Sequence, residues 1–324
     1  MSTLTVPDLR FSEGSPAEHL RRTAAAVRVH LRWWGVRKTL TTQQKEEIGL
    51  AYAADARFLT AGKKIIDIRH EAFKRLTSLR TRIIQHWHKL TLPYVEAGVR
   101  LIKQADIEPF VATMEGFRAE LAQGETDLDR VYADIKADAR RSLGRLYDPT
   151  DYPPSVRGLF GVDWDFPAVE PPNYLMRLNP EIYQQEQERV ARRFEEAVSL
   201  AEQAFVSEFS KLVTHLTERL SDTGGEKKVF RDSAVTNIRE FFDRFRYLSV
   251  RSNEDLERLV DQAQRVLGGV GPQDLRDSDS LRQDVTRQLT GVQAMLDGML
   301  VDQPRRRILR SQPSNNGAGN GTGD

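Results

Sequence analysis

The 324-residue chain contains no cysteine, which excludes disulfides, thiolate nucleophiles, cysteine-based zinc sites and iron–sulfur clusters. Long apolar runs are missing too: no stretch approaches the roughly 18 residues of a membrane-spanning helix. Residues 1–15, with Pro7, Asp8 and Glu13, lack the basic start and apolar run of a secretion signal. Neither sign of charge dominates, because 48 basic and 47 acidic residues leave a net +1. No global field therefore draws the chain to nucleic acid or membrane, and an electrostatic partner must be met by a local patch. The expectation is a cytoplasmic protein with no membrane contact and with neither a cofactor nor a bound metal.

Catalytic motifs are equally scarce. His70-Glu71 opens like the helical zinc-protease pattern, but Lys74 stands where the second histidine belongs. His86 and His88 lie two apart, which on a helix turns them about 200° from each other and prevents a shared metal. No Gly-x-Ser-x-Gly elbow supplies a nucleophile, and Gly62-Lys63-Lys64 lacks the upstream glycine and following hydroxyl of a phosphate loop. One acidic group remains: Asp163 and Asp165 would share a face if extended, and with Glu170 they could hold Mg²⁺ for phosphodiester chemistry.

What the chain does have is helix pattern. Residues 179–220 contain no proline or glycine after Pro180, and their apolar positions recur every eleven residues. Phe194, Phe205 and Leu216 form one row, Val198, Phe209 and Leu220 a second, and Ala201 with Leu212 a third. At about 1.5 Å per residue this is a rod of roughly 60 Å, and an eleven-residue period winds nearly straight or slightly right-handed. A second region, 62–90, carries the same period through Ile65, Leu76 and Trp87, making it the expected packing mate. The stripe Phe194, Val198, Phe205, Phe209 and Leu216 is read as an interaction surface, coiled-coil-like, for a protein partner or a second copy.

The remaining punctuation gives the organisation. Ser15-Pro16-Ala17-Glu18 combines cap, proline and acidic residue and starts a helix expected to reach Trp34. Further helices are expected over 41–60, 62–90, 106–123, 126–146, 226–248, 252–267 and 279–301. The last has an apolar stripe of Leu281, Val285, Leu289, Val292, Leu296 and Met299. Residues 91–105 fit a small β-hairpin. Seven of the fourteen prolines fall between Asp148 and Pro180 among Tyr152, Phe160, Trp164, Phe166 and Tyr174, which forbids a helix and suggests an extended strap packed down by its rings. The fold class is mainly α: an elongated helical bundle with long antiparallel helices, the strap and the hairpin. Its regions are a flexible N-terminus 1–14, a basic helical region 15–147, the strap 148–179, a long-helix region 180–303 and a disordered tail 304–324.

Charge is unevenly placed. Residues 1–110 hold 19 basic and 11 acidic side chains, and no acid occurs from His19 to Lys45. Arg21, Arg22, Arg28, Arg32, Arg37 and Lys38 gather around Trp33 and Trp34, with Lys63, Lys74, Arg75 and Arg82 on the next basic face. Cations beside aromatic rings suit a phosphate backbone and exposed bases, so nucleic acid is the alternative partner. Asp67 and Glu71 on that face can pair with Lys74 and Arg75 and reduce it.

Three short motifs, Thr91-Leu92-Pro93-Tyr94, Gly98-Val99-Arg100-Leu101-Ile102 and Asp151-Tyr152-Pro153, resemble those of an uncharacterised, mostly helical family of bacterial and phage-associated proteins, over roughly residues 30–270. The resemblance implies a subunit of an assembly containing an AAA-type ATPase and a von Willebrand-type partner. It assigns no catalytic residues, so none carry over. The expected function is a non-enzymatic structural or adaptor subunit, with DNA binding as the alternative and metal-dependent chemistry at Asp163/Asp165 third.

Overall fold

The computed structural model describes residues 14–221 and 232–301. Residues 1–13 of the expected N-terminal region 1–14, the turn at 222–225, the start of the helix at 226–231 and the tail 304–324 fall outside them. Among the described residues there are ten α-helices and six β-strands, and no helix is long and apolar enough to cross a membrane. Mainly α therefore holds. The residues form two compact units: one from the chain up to Phe205 with Arg239–Arg258, the other from Val206–Ile238 and the residues from Leu259 onward.

The first unit departs from an all-helical reading at its start. Ser15 Oγ accepts from the Glu18 N–H at 3.2 Å, so helix α1 (Pro16–Thr23) begins where the cap and proline predict. It then stops, and strand β1 (Ala24–Arg32) replaces the expected continuation to Trp34. From Ala26 on the residues alternate, with Val27, Val29 and Leu31 on one face and Arg28, His30 and Arg32 on the other. This two-residue period fits a strand and not a helix. β4 (Thr91–Pro93) and β5 (Val99–Lys103) form the expected hairpin, with Gly98 at φ +79° in its turn. β6 (Gly161–Asp165) rises from the proline strap and pairs with the other edge of β1, giving an antiparallel sheet in the order β4-β5-β1-β6.

One sheet face, carrying Val27, Ile102 and Val162, packs on α3 (Glu71–Leu90) and α4 (Ile107–Leu143). The expected helix over 62–90 begins only at Glu71. Its first residues are strand β3 (Gly62–Lys64), paired with β2 (Arg37–Thr39), and the Asp67 carboxylate then accepts from the Arg69 N–H at 2.9 Å to form a turn. Ile65 thus lies outside the helix. The buried stripe of α3 is Phe73, Leu76, Leu79 and Ile83, and its mate is α4, where His86 stacks on Phe110 at 5.8 Å. The supposed break at 123–126 does not occur. α4 runs through it because Gly124 serves close packing: a Cβ there would sit 2.8 Å from the buried Leu76 Cδ2. Gly124→Val should therefore destabilise the protein by about 1–3 kcal/mol through overpacking, read as a lower urea midpoint, whereas Gly116→Val, on an open face of α4 where a Cβ meets nothing within 4 Å, should leave the midpoint unchanged or raise it slightly, because valine is a better helix former than glycine.

The strap is ordered and partly buried. Tyr152 and Phe160 are buried, but Phe166 and Tyr174 remain exposed, and the proline-free 173–179 accommodates the short helix α5 (Tyr174–Leu178) that proline density seemed to forbid. Lys63, expected on a basic surface, is buried instead. Its ammonium meets Asp151 Oδ2 at 2.7 Å and donates to the Leu146 carbonyl at 2.6 Å, while the Tyr152 hydroxyl donates to the Ile65 carbonyl at 2.6 Å. Together these contacts tie β3 to the strap.

α6 (Pro180–Leu220) is the expected long helix. Its first part belongs to the first unit, where Val190, Phe194, Ala197, Ala201 and Phe205 are buried and Phe194 lies 5.7 Å from Tyr94. Phe205 meets Phe245 of α7 (Ser233–Leu248) edge-on at 5.0 Å. Its last part belongs to the second unit, with α8 (Glu254–Val266) shared between the two and α9 (Pro272–Asp277) and α10 (Asp279–Val301) following. There Phe209, Val213 and Leu216 are buried, as are Val285, Leu289, Val292 and Leu296 on the stripe expected for α10. Thr217 Oγ1 approaches Gln293 Oε1 at 3.2 Å. The eleven-residue rows are thus core rows: Phe194, Phe205, Phe209 and Leu216 are buried and Val198 is half-buried. The stripe read as an interaction surface packs within the chain, Phe194 against Tyr94 next to β4 and Phe205 against Phe245 of α7.

Candidate functional site

The polar end of the sheet collects several of the sequence-selected residues. β1 and β6 pair with His30 opposite Asp163 and Arg28 opposite Asp165, so two strands with complementary alternating charge face each other. Asp165 accepts from Arg28 Nη2 at 2.9 Å and Nε at 3.2 Å, and lies 2.8 Å from His30 Nε2. These bonds hold its carboxyl at about 2, below the ordinary 3.8, and raise Arg28 in turn. Asp163 pairs with Arg118 of α4 at 3.1 Å, whose guanidinium also lies over the Trp164 ring at 4.3 Å. Glu170 is gripped through both oxygens at 2.6 Å by Arg21, which also reaches Gln187.

The extended geometry that would put Asp163 and Asp165 on one face is present, but each carboxylate has its own guanidinium. A divalent ion would have to displace Arg28 and Arg118. Among the described residues no group of three or more histidine or acidic side chains could hold a metal. The trio works as a set of counter-ions joining β1, β6, α1 and α4. Because the Asp165 carboxyl sits lower in the folded chain than in the unfolded one, its contribution to stability is full above about pH 4 and fades as pH falls toward about 2. The urea midpoint gap between wild type and Asp165→Asn should close over that window; a gap independent of pH would contradict this pairing.

The basic set divides. Arg21 and Arg28 are engaged as above, and the exposed Arg32 lies across Gly161, where a Cβ would meet its Nη2 at 2.8 Å. Arg22 is exposed on α1. Trp33 and Trp34 are not stacking platforms: they pack edge-on against Phe160 at 4.9 Å and Tyr132 at 5.9 Å, at the margin of the core. On α3, Lys74 pairs with Glu71 at 3.0 Å and Arg82 with Glu120 at 2.8 Å, while Arg75 is exposed. The helical basic face is therefore largely neutralised.

Arg37 and Lys38 differ from these. They stand exposed on β2, with Arg37 directly opposite Lys64 of β3. Lys64 also borders a groove of about 820 Å³ between residues 64–70 and the end of α4, floored by Ile65, Ile135 and Ala139 and rimmed by the pairs Arg69–Asp67 and Arg141–Asp138.

Two groups of apolar side chains are exposed, and only Phe166 and Tyr174 among them were named from the sequence, as rings expected to pack down. Leu50, Tyr52 and Phe58 follow one another on and after α2 (Thr42–Ala51), which ends well short of the expected residue 60. Phe166, Tyr174, Met176, Leu178 and Ile182 surround α5. The signal for the first was present: Ile48, Leu50 and Tyr52 are spaced by two, and no helix can bury such a row on one face.

A scan against protein-family models gives no match, and searches of curated proteins and of solved structures give none either. The motifs that carry the family resemblance nevertheless have local physical roles. Thr91–Pro93 and Val99–Lys103 are the hairpin strands, joined by Arg100, which donates to the Thr91 hydroxyl at 2.6 Å and carbonyl at 2.8 Å. Asp151 forms the ion pair with Lys63, and the Tyr152 hydroxyl donates to the Ile65 carbonyl.

Proposed function

We propose that the chain is a non-enzymatic structural or adaptor subunit that works through protein contact, its first partner being a second copy of itself. The observation that carries this reading is the exposed apolar group Tyr174, Met176, Leu178 and Ile182, with Leu178 77% accessible. Contiguous exposed apolar side chains mark interaction sites on soluble proteins. This group takes the place of the Phe194 row, which the chain covers itself. A non-catalytic role is supported by the arginine pairing of all three carboxylates, Asp163, Asp165 and Glu170. An elongated shape, and membership of a bacterial or phage-related ATPase-containing assembly as the resemblance implies, belong to the same proposal.

Sedimentation velocity over a range of protein concentrations tests it. Wild type should form a defined oligomer, and Met176→Asp with Leu178→Asp should remain monomeric with an unchanged circular dichroism spectrum. A wild-type monomer at every concentration, or an oligomer indifferent to both substitutions, would sink the proposal.

A further inference from the structure

β2 and β3 pair antiparallel, and everything between them, residues 40–61, is a single outgrowth closed at its base by the Leu40 N–H donating to the Ala61 carbonyl at 3.1 Å. From Arg37 to Lys64 this outgrowth and its ribbon carry six cations and three carboxylates. Lys63 is committed to Asp151 and Arg57 to Asp55, and Glu47 is met by Arg145 at 3.4 Å. Arg37, Lys38 and Lys64 are exposed and make no ion pair within 4 Å among the described residues, Lys64 acting on the Asp67 carboxylate only at longer range. Arg37 and Lys64 face each other across the ribbon, an arrangement of like charges that destabilises a strand pair unless an anion lies over it.

The same outgrowth holds two of the most exposed aromatic rings among the described residues, Tyr52 at 80% and Phe58 at 86%. They are held out by backbone geometry: Ala53 takes φ +50°, and the Ala54 N–H folds back onto the Gly49 carbonyl at 2.8 Å. That leaves no space for a Cβ at Gly49, which would come 2.5 Å from the Ala54 carbonyl. Solvated rings on the same outgrowth as exposed cations suit stacked bases and a tracked phosphate backbone. The centres of protein interfaces are, by contrast, depleted in lysine, whereas this outgrowth and its ribbon carry Lys38, Lys45 and Lys64.

We propose that the β2–α2–β3 outgrowth binds single-stranded nucleic acid, with Tyr52 and Phe58 stacking on bases and Arg37, Lys38 and Lys64 holding phosphates. This is independent of self-association through the α5 region. Fluorescence anisotropy of labelled oligo-dT and oligo-U with the full chain, at about 50 mM salt where counterion release favours binding, should give saturable binding that weakens with salt. Tyr52→Ala with Phe58→Ala should weaken it roughly ten-fold or more. Arg37→Ala with Lys64→Ala should lower the log–log salt slope by about 1.4, two phosphate contacts on a single strand. Lys74→Ala with Arg75→Ala on α3 should change neither.

Photocrosslinking of a 4-thiouridine oligonucleotide to the wild-type chain reads the site without any variant and should map to residues 37–64. Four results would overturn the proposal: no binding at that salt, full affinity in the ring variant, crosslinks confined elsewhere, or equal competition by polyglutamate. The last would identify an acidic protein surface as the ligand.

Discussion

Lys63→Ala should lower stability by about 3–5 kcal/mol, the cost of leaving one partner of a buried ion pair uncompensated. The Lys63 and Asp151 side chains are only 6% and 16% accessible, and the ammonium also supports the Leu146 carbonyl. Removing the lysine strands a carboxylate and a carbonyl at the junction of β3 and the strap. Replacing both charges, as in Lys63→Met with Asp151→Leu, should recover much of the loss, because apolar pairs of similar volume often match or exceed a buried salt bridge. Urea unfolding of the two single variants and the double variant forms the cycle. Additive losses would show that the charges do not depend on each other.

Phe194→Ala should destabilise the chain by about 3–5 kcal/mol, as expected when a buried aromatic ring leaves a cavity. Phe194 is 1% accessible and packs on Tyr94 beneath the hairpin. By contrast, Leu178→Ser should move stability by no more than about 0.5 kcal/mol, the usual range for surface positions. Comparable urea midpoints for these two variants would contradict the assignment of the Phe194 row to the core and of Leu178 to the surface.

Those rows also show how far the sequence could be read. The period from Phe194 to Leu216 identified α6 correctly, because a run free of glycine and proline has few alternatives to a helix. It could not say which surface covers the rows, since an apolar seam looks the same whether its mate is in the same chain or another. β1 was legible in the alternation from Val27 to Arg32, but the strong cap at Ser15 suggested a longer helix, and pairing with β5 and β6 overrode it. Pairings at long sequence separation leave little local trace. The same holds for Gly124, whose packing against Leu76 leaves the same letter in the sequence as a helix break.

The candidate sites were legible in kind more than in place. Cations interleaved with aromatic rings were visible in residues 19–45, yet Trp33 and Trp34 turn inward onto Phe160 and Tyr132. The exposed rings are Tyr52 and Phe58, further along. Lys63 looked like part of the same basic surface, and only its contact with Asp151 removes it. Arg37 and Lys38 keep the exposed position expected of them.

The most direct measurement of the proposed self-association through the α5 region is sedimentation velocity of wild type beside Met176→Asp with Leu178→Asp, at matched concentrations. A defined wild-type oligomer that the paired substitution reduces to a folded monomer is the expected result. A wild-type chain that sediments as a monomer throughout, or an oligomer that the substitutions leave intact, would contradict it.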